Sequence, residues 1–167
     1  MTFIANPSRL LSMKKVLSLI AFLIFFSQNA IAKNIYFSSG VSVADKITYF
    51  SAGIGVADRV IYYSAGISVA DIVIYVSSYC SEADFKVVNS ISNSNFIIYH
   101  SAGISVADEV IYLSAGIGVA DDVIYLSSGS SVADYKICIP NSDSLSQEEV
   151  EEIVASIFST FIKRRWW

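Results

Sequence analysis

Seven aspartates are the most regularly placed reactive side chains in this chain. Asp45, Asp58, Asp71, Asp84, Asp108, Asp121 and Asp134 each follow an alanine, and every step between them is thirteen residues except the step from Asp84 to Asp108, which is twenty-four. If seven equivalent units closed into a ring, the carboxylates would stand around one axis and repel one another unless a cation or hydrogen bonds compensated them. Metal ligation is the sharp reading of that set. The spacing, however, lacks the dense alternating oxygen ligands of a calcium loop. The expectation is therefore that each Asp accepts hydrogen bonds from the amides of its own turn, with no metal and no other cofactor bound.

Catalytic chemistry has little else to draw on. His100 is the only histidine. It occupies a strand position held in the other units by Phe, Tyr, Val, Asn, Leu or Ile, no base is paired with it in the sequence, and it reads as a core or rim residue. Serine is abundant but recurs with the repeat, so turns account for it without nucleophile activation. Gly53 and Gly55 lack the third glycine and the following helix of a phosphate-cradling loop. No catalytic residue is assigned, and the chain is not expected to be an enzyme. The function expected is that of a rigid, exported domain binding another macromolecule. A small hydrolase or lectin-like module with its site in an insertion is the alternative.

These residues sit in repeated elements. Three residues after each Asp stands Thr48, Ile61, Ile74, Val87, Ile111, Ile124 or Ile137, within β-branched and aromatic runs that favour strands. Apolar residues fill consecutive positions, as in RVIYY and DVIYL, so both faces of these strands are expected to be covered. Five residues before Asp, six of the seven units carry glycine, with serine two places earlier. Those residues punctuate turns, glycine by supplying positive φ without steric cost. A unit of thirteen residues buries almost nothing alone, so the units must stack into a rod or close into a ring. An insertion spanning residues 85–98, of which Phe85 to Asn95 are the eleven extra residues, interrupts the period, and SISNSN within it reads as a loop.

The termini differ from the repeat. Met13, Lys14 and Lys15, the apolar stretch from Val16 to Phe26 and the Ala30-Ile31-Ala32 end read as a secretory signal peptide over residues 1–32, with residues 1–12 a candidate overcalled start. Export to the periplasm or beyond the cell follows. Without that segment, eight of the eleven cationic side chains remain against all fifteen carboxylates, a formal charge of about −7. Nucleic acid, which draws on clustered Lys and Arg, is not an expected partner. The repeat is assigned to residues 33–140 and an amphipathic helix to 141–167, with Ser146 and Glu149 as a capping box. Val150, Ile153, Val154, Ile157, Phe158, Phe161 and Ile162 form one apolar face. That face is expected to pack on the ring as a dispensable appendage, or to meet an envelope partner or membrane surface through Val150, Ile157, Phe161, Trp166 and Trp167.

The units that break the consensus carry a resemblance. Tyr79, Ser81, Ala83, Asp84, Phe85, Lys86 and Val87 in the fourth unit, and Ser131, Ala133, Asp134, Tyr135, Lys136 and Ile137 in the seventh, are similar to the septoil knot domain family. That family consists of uncharacterised bacterial proteins with the same thirteen-residue period. The other five units depart from it, with Gly where the family has Tyr and Ile or Val where it has Lys. The resemblance covers roughly Asn34 to Pro140 and implies an all-β ring of seven units whose chain follows a seven-crossing torus knot. A β-solenoid is the alternative fold. In a seven-fold ring traversed twice, units three or four apart become neighbours, so the resemblance also implies that Cys80 and Cys138 meet and form a disulfide.

Overall fold

A computed structural model describes residues 32–162. The signal-peptide reading, except for Ala32, and the residues 163–167 lie outside the described residues. Nine strands form: β1 (Lys33–Ser38), β2 (Lys46–Phe50), β3 (Arg59–Tyr63), β4 (Ile72–Ser77), β5 (Phe85–Val87), β6 (Phe96–His100), β7 (Glu109–Ser114), β8 (Asp122–Ser127) and β9 (Tyr135–Cys138). All pair in parallel and close into one barrel in the order β1-β5-β9-β4-β8-β3-β7-β2-β6. Each strand lies two places around the ring from the strand before it in sequence. The chain therefore circles the barrel almost twice, and the second circuit fills the gaps left by the first.

The ring holds nine strands where the Ala-Asp count predicts seven units. β1 precedes the first Ala-Asp pair, and β6 lies in the segment read as an insertion. That segment is a shortened repeat unit: Asn95 stands where Asp stands elsewhere, eleven residues after Asp84, and Ile91–Asn93 forms the same single 3-10 turn as every other strap except the one between β4 and β5.

Each linker straddles the strand between the two it joins. The Ser51 amide donates to the Ile111 carbonyl (2.9 Å) and the Asp58 amide to the Val110 carbonyl (2.8 Å). Successive carbonyls of a strand point to opposite edges, so the linker from β2 to β3 grips both edges of β7. The linker from β3 to β4 grips β8 likewise, through Ser64 to Ile124 and Asp71 to Val123, both at 2.8 Å. These straps cross the outer face, because the inner face is filled by core. In six of the eight straps a serine hydroxyl donates to the carbonyl two residues on, as Ser51 Oγ does to Gly53 at 2.9 Å, and one 3-10 turn follows. The glycines are not there for left-handed backbone. Gly53 has φ −151°, no described glycine has positive φ, and the space beyond each Cα is open. The expected positive φ is thus corrected.

Neighbouring strands are displaced by two residues: Ile35 pairs with Phe96, two residues before its equivalent Ile98. Stagger of this kind tilts strands and widens a barrel. The lumen holds α1 (Gln147–Phe161), which starts at the capping box of Ser146 and Glu149. Val154, Ala155, Ser156, Ile157, Phe158 and Ser159 are all fully buried. Six successive residues turn through more than a full circle at 3.6 residues per turn, so the helix is enclosed on every side. Near the carboxyl ends of the strands Tyr63 Oη donates to the Glu151 carbonyl at 2.6 Å. Near their amino ends Phe161 packs on Phe85 and Phe96, with ring centroids 5.5 and 4.9 Å away. The helix therefore runs down the barrel against the strand direction. This corrects the one-faced docking reading, since the ring encloses the helix instead of carrying it on one side. Ile157 is fully buried, while Val150 and Phe161 pack against the core, so the face assigned to a membrane or partner is turned inward. Trp166 and Trp167 lie outside the described residues.

Candidate binding site

The seven aspartates do not converge. Each lies on the outside at the start of a strand, where its carboxylate accepts the backbone N–H of the neighbouring strand: Asp45 from Ile97, Asp58 from Val110, Asp121 from Val60 and Asp134 from Val73 at 2.8 Å, Asp71 from Val123 at 3.0 Å, Asp84 from Lys136 and Asp108 from Ile47 at 2.7 Å. The partners are 52 or 61 residues distant in sequence, which corrects the expectation that each Asp binds its own turn. The stagger leaves one strand amide exposed at each junction, and the carboxylate supplies its acceptor. Asn95 Oδ1 does the same for the Asn34 amide at 3.1 Å. Among the described residues no group of three or more His, Cys, Asp and Glu is placed to hold a metal ion.

Two polar sets lie inside. Asp122, Arg59, Glu109 and Lys46 come from successive strands around the ring and pair in a row: Arg59 with Asp122 at 3.3 Å, Arg59 with Glu109 at 3.4 Å, and Lys46 with Glu109 at 3.1 Å. Two cations and two carboxylates offset one another, and the Arg59 guanidinium also lies 5.5 Å over the Phe158 ring. Further along the lumen His100 Nε2 is 2.8 Å from Ser156 Oγ, itself 3.4 Å from Thr48 Oγ1. Phe37 and Phe50 meet the imidazole edge-on with centroids 5.0 and 5.3 Å away. Desolvation by these neighbours lowers the His100 pKa to about 4. Ser156 is fully buried, and its contact with His100 ties the helix to the barrel wall.

Cys80 and Cys138 are disulfide-bonded, with Cα atoms 5.1 Å apart. Cys80 stands where five of the other seven straps carry Ile, in the strap that joins β4 to β5, and Cys138 ends β9 beneath it. The bond pins a strap to the strand it crosses.

Where the carboxyl ends of the strands meet the helix, the lumen is open. β5 is three residues long and its unit is the shortened one, so no strand residue beyond Val87 closes that sector. A cleft of about 370 Å³ remains, walled by Phe37, Val87, Ile139, Pro140, Leu145 and Ile153, with His100, Glu149 and Glu152 as its polar groups. Burial first, then Glu148 and Glu149, raise the Glu152 pKa. The Ser146 amide and hydroxyl, at 2.7 and 2.8 Å, lower that of Glu149. An apolar pocket with carboxylates at its mouth suits an apolar group carrying positive charge. The signal in the sequence was the eleven-residue step to Asn95.

The outer surface carries a second feature. The straps over β4, β8, β3, β7, β2, β6 and β1, which are consecutive around the ring, expose Val132, Ile67 and Val69, Ile117 and Val119, Ile54 and Val56, Ile104 and Val106, Val41 and Val43, and Ile91. Each of these side chains is 45–56% exposed. Scattered in sequence, they form one apolar arc in space. No family model, curated protein or solved structure matches the chain.

Proposed function

We propose that this chain is an exported, non-catalytic, rigid β domain that binds another macromolecule in the periplasm or outside the cell. The observation that carries the proposal is the apolar arc of seven consecutive straps. Contiguous exposed apolar surface marks interaction sites, and a helix-filled barrel presents it at low entropic cost. Each half-exposed Ile or Val has about 1 kcal/mol still to gain from burial. Replacing Ile54, Val56, Ile117 and Val119 with Ser alters two adjacent straps without touching the core. Partners captured from an envelope extract are identified, and their affinity for the two forms is then measured. The arc predicts a loss of tenfold or more at unchanged circular dichroism, and equal affinity counts against it.

The same proposal includes membership of the septoil knot family and a knotted backbone. Two features support the knot: straps that cross strands of the other circuit, and a helix that then passes through the ring. Stretching the chain from its ends after unfolding tests it, because a retained knot shortens the extended length relative to an open chain of equal residue number.

A further inference from the structure

We propose that the cleft beside β5 receives the segment Lys163–Trp167 of a second copy of this chain, so that copies associate head to tail. This contact is independent of the apolar arc.

Three observations converge. The cleft is apolar within and acidic at its mouth: Glu149 and Glu152 line it, Glu148 stands beside them on the first turns of α1 and acts on Glu152, and none of the three has a cationic partner among the described residues. Repulsion from Glu148 and Glu149 contributes to the raised Glu152 pKa, which marks a cluster that a cation would relieve. The chain itself supplies a segment of the complementary chemistry. Lys163, Arg164 and Arg165 precede Trp166 and Trp167, the only two tryptophans in the protein. Three cations match three carboxylates, and an indole fits a cleft walled by Phe37, Leu145, Ile153 and Pro140.

Topology makes the contact intermolecular. The segment follows Ile162, at the end of the barrel where Phe161 meets Phe85 and Phe96, whereas the cleft is at the other end. A helical rise of 1.5 Å per residue separates Ile162 from Glu149 by about 20 Å and from Glu152 by about 15 Å. That straight line is filled by the helix itself. Five extended residues span at most about 17 Å, which falls short of a path that leaves the lumen, climbs the outside of the barrel and returns over its rim. The cleft of a neighbouring copy, stacked end on end, is within reach. A contact between unlike surfaces propagates into a ring or an open filament.

The tryptophans make the test direct, since all indole emission comes from this segment. The chain from Ala32 to Trp167 contains the whole described core and is examined across a concentration series. Sedimentation should show mass rising with concentration, and emission should shift to the blue in step with it. A chain ending at Ile162 loses no described residue and should stay monomeric at every concentration. It should also bind a Lys-Arg-Arg-Trp-Trp peptide, with affinity falling about threefold to tenfold when Glu148→Gln and Glu152→Gln remove two charge pairs and leave Glu149 in its cap. A constant monomer mass overturns the proposal, as does emission that is blue-shifted at all concentrations, which would place the segment on its own barrel. Association that survives the deletion, or peptide binding indifferent to both glutamates, overturns it equally.

Discussion

Ala155 lies on the side of α1 that an amphipathic reading assigns to water, beside Ser156 and Ser159, yet it is fully buried. Substitution Ala155→Lys therefore separates an enclosed helix from one docked by a single face. On a docked helix the change is a surface substitution, worth within about 0.5 kcal/mol. In the lumen it forces a long side chain into filled space and strips the ammonium of water, with Glu151, one turn toward the amino end of the helix, as the carboxylate within its reach. Ile162, at the nearer end, is about 10 Å away along the axis, too far for the side chain to carry its charge fully into water. Overpacking a filled core costs about 1–3 kcal/mol and desolvating the charge adds to it even with a carboxylate in reach, together a large part of a total stability of about 5–15 kcal/mol. Urea unfolding followed by circular dichroism reads the difference. With a slope of about 2 kcal/mol per molar, the midpoint should fall by about 1 M or more, if the variant folds at all. Phe158→Ala is a weaker discriminator, because both arrangements bury that ring. A midpoint for Ala155→Lys within experimental scatter of the parent would refute the enclosed helix. By the same reasoning a chain ending at Asn141 should lack a cooperative β transition.

Three further outcomes follow from the strand junctions, the buried histidine and the disulfide. Asp121→Ala should cost about 1–2 kcal/mol by stranding the Val60 amide, and Asp121→Asn should cost less because Asn95 already fills that role toward Asn34; chemical denaturation measures both. The lowered pKa of His100, about 4 against 6.5 unfolded, means that the unfolded chain binds a proton the folded chain refuses. Stability present in full above pH 6.5 is lost as pH falls, by about 3 kcal/mol at pH 4, and the parent-minus-His100→Gln difference in unfolding free energy should trace that window. Replacing Cys80 and Cys138 together with Ser opens a closure of 58 residues and should lower stability by about 4 kcal/mol on the loop-entropy account, read from thermal or urea transitions.

Strands were legible wherever Ala-Asp preceded a β-branched run, because composition and period both mark them. Two strands escaped that count for local reasons. β1 has no Asp before it because the chain enters the ring there, and β6 is announced by Asn95, which accepts an amide hydrogen bond as Asp does but breaks the motif. The aspartate partners were illegible in principle, since they lie 52 or 61 residues away and are set by the two-place step around the ring. The helix was recognisable from its caps and apolar spacing, but its surroundings were not. Ala155, Ser156 and Ser159 look like a solvent face, whereas in the lumen small residues allow close approach to the wall and the Ser156 hydroxyl finds Thr48 and His100. The ion-paired row was equally hidden, because Lys46, Arg59, Glu109 and Asp122 become neighbours only when the two circuits interleave. The cleft needed both the short unit and the helix to be placed.

Residue-resolved hydrogen exchange tests the central claim, a helix enclosed by a closed ring, most directly. An enclosed helix cannot fray or leave while the barrel stands. The amides of Ile157 and Phe158 should therefore exchange only through global unfolding, with the same free energy as those of Ile61 and Ile111 in the strands. Exchange of the helix amides through a smaller opening, with the strand amides still protected, would contradict it.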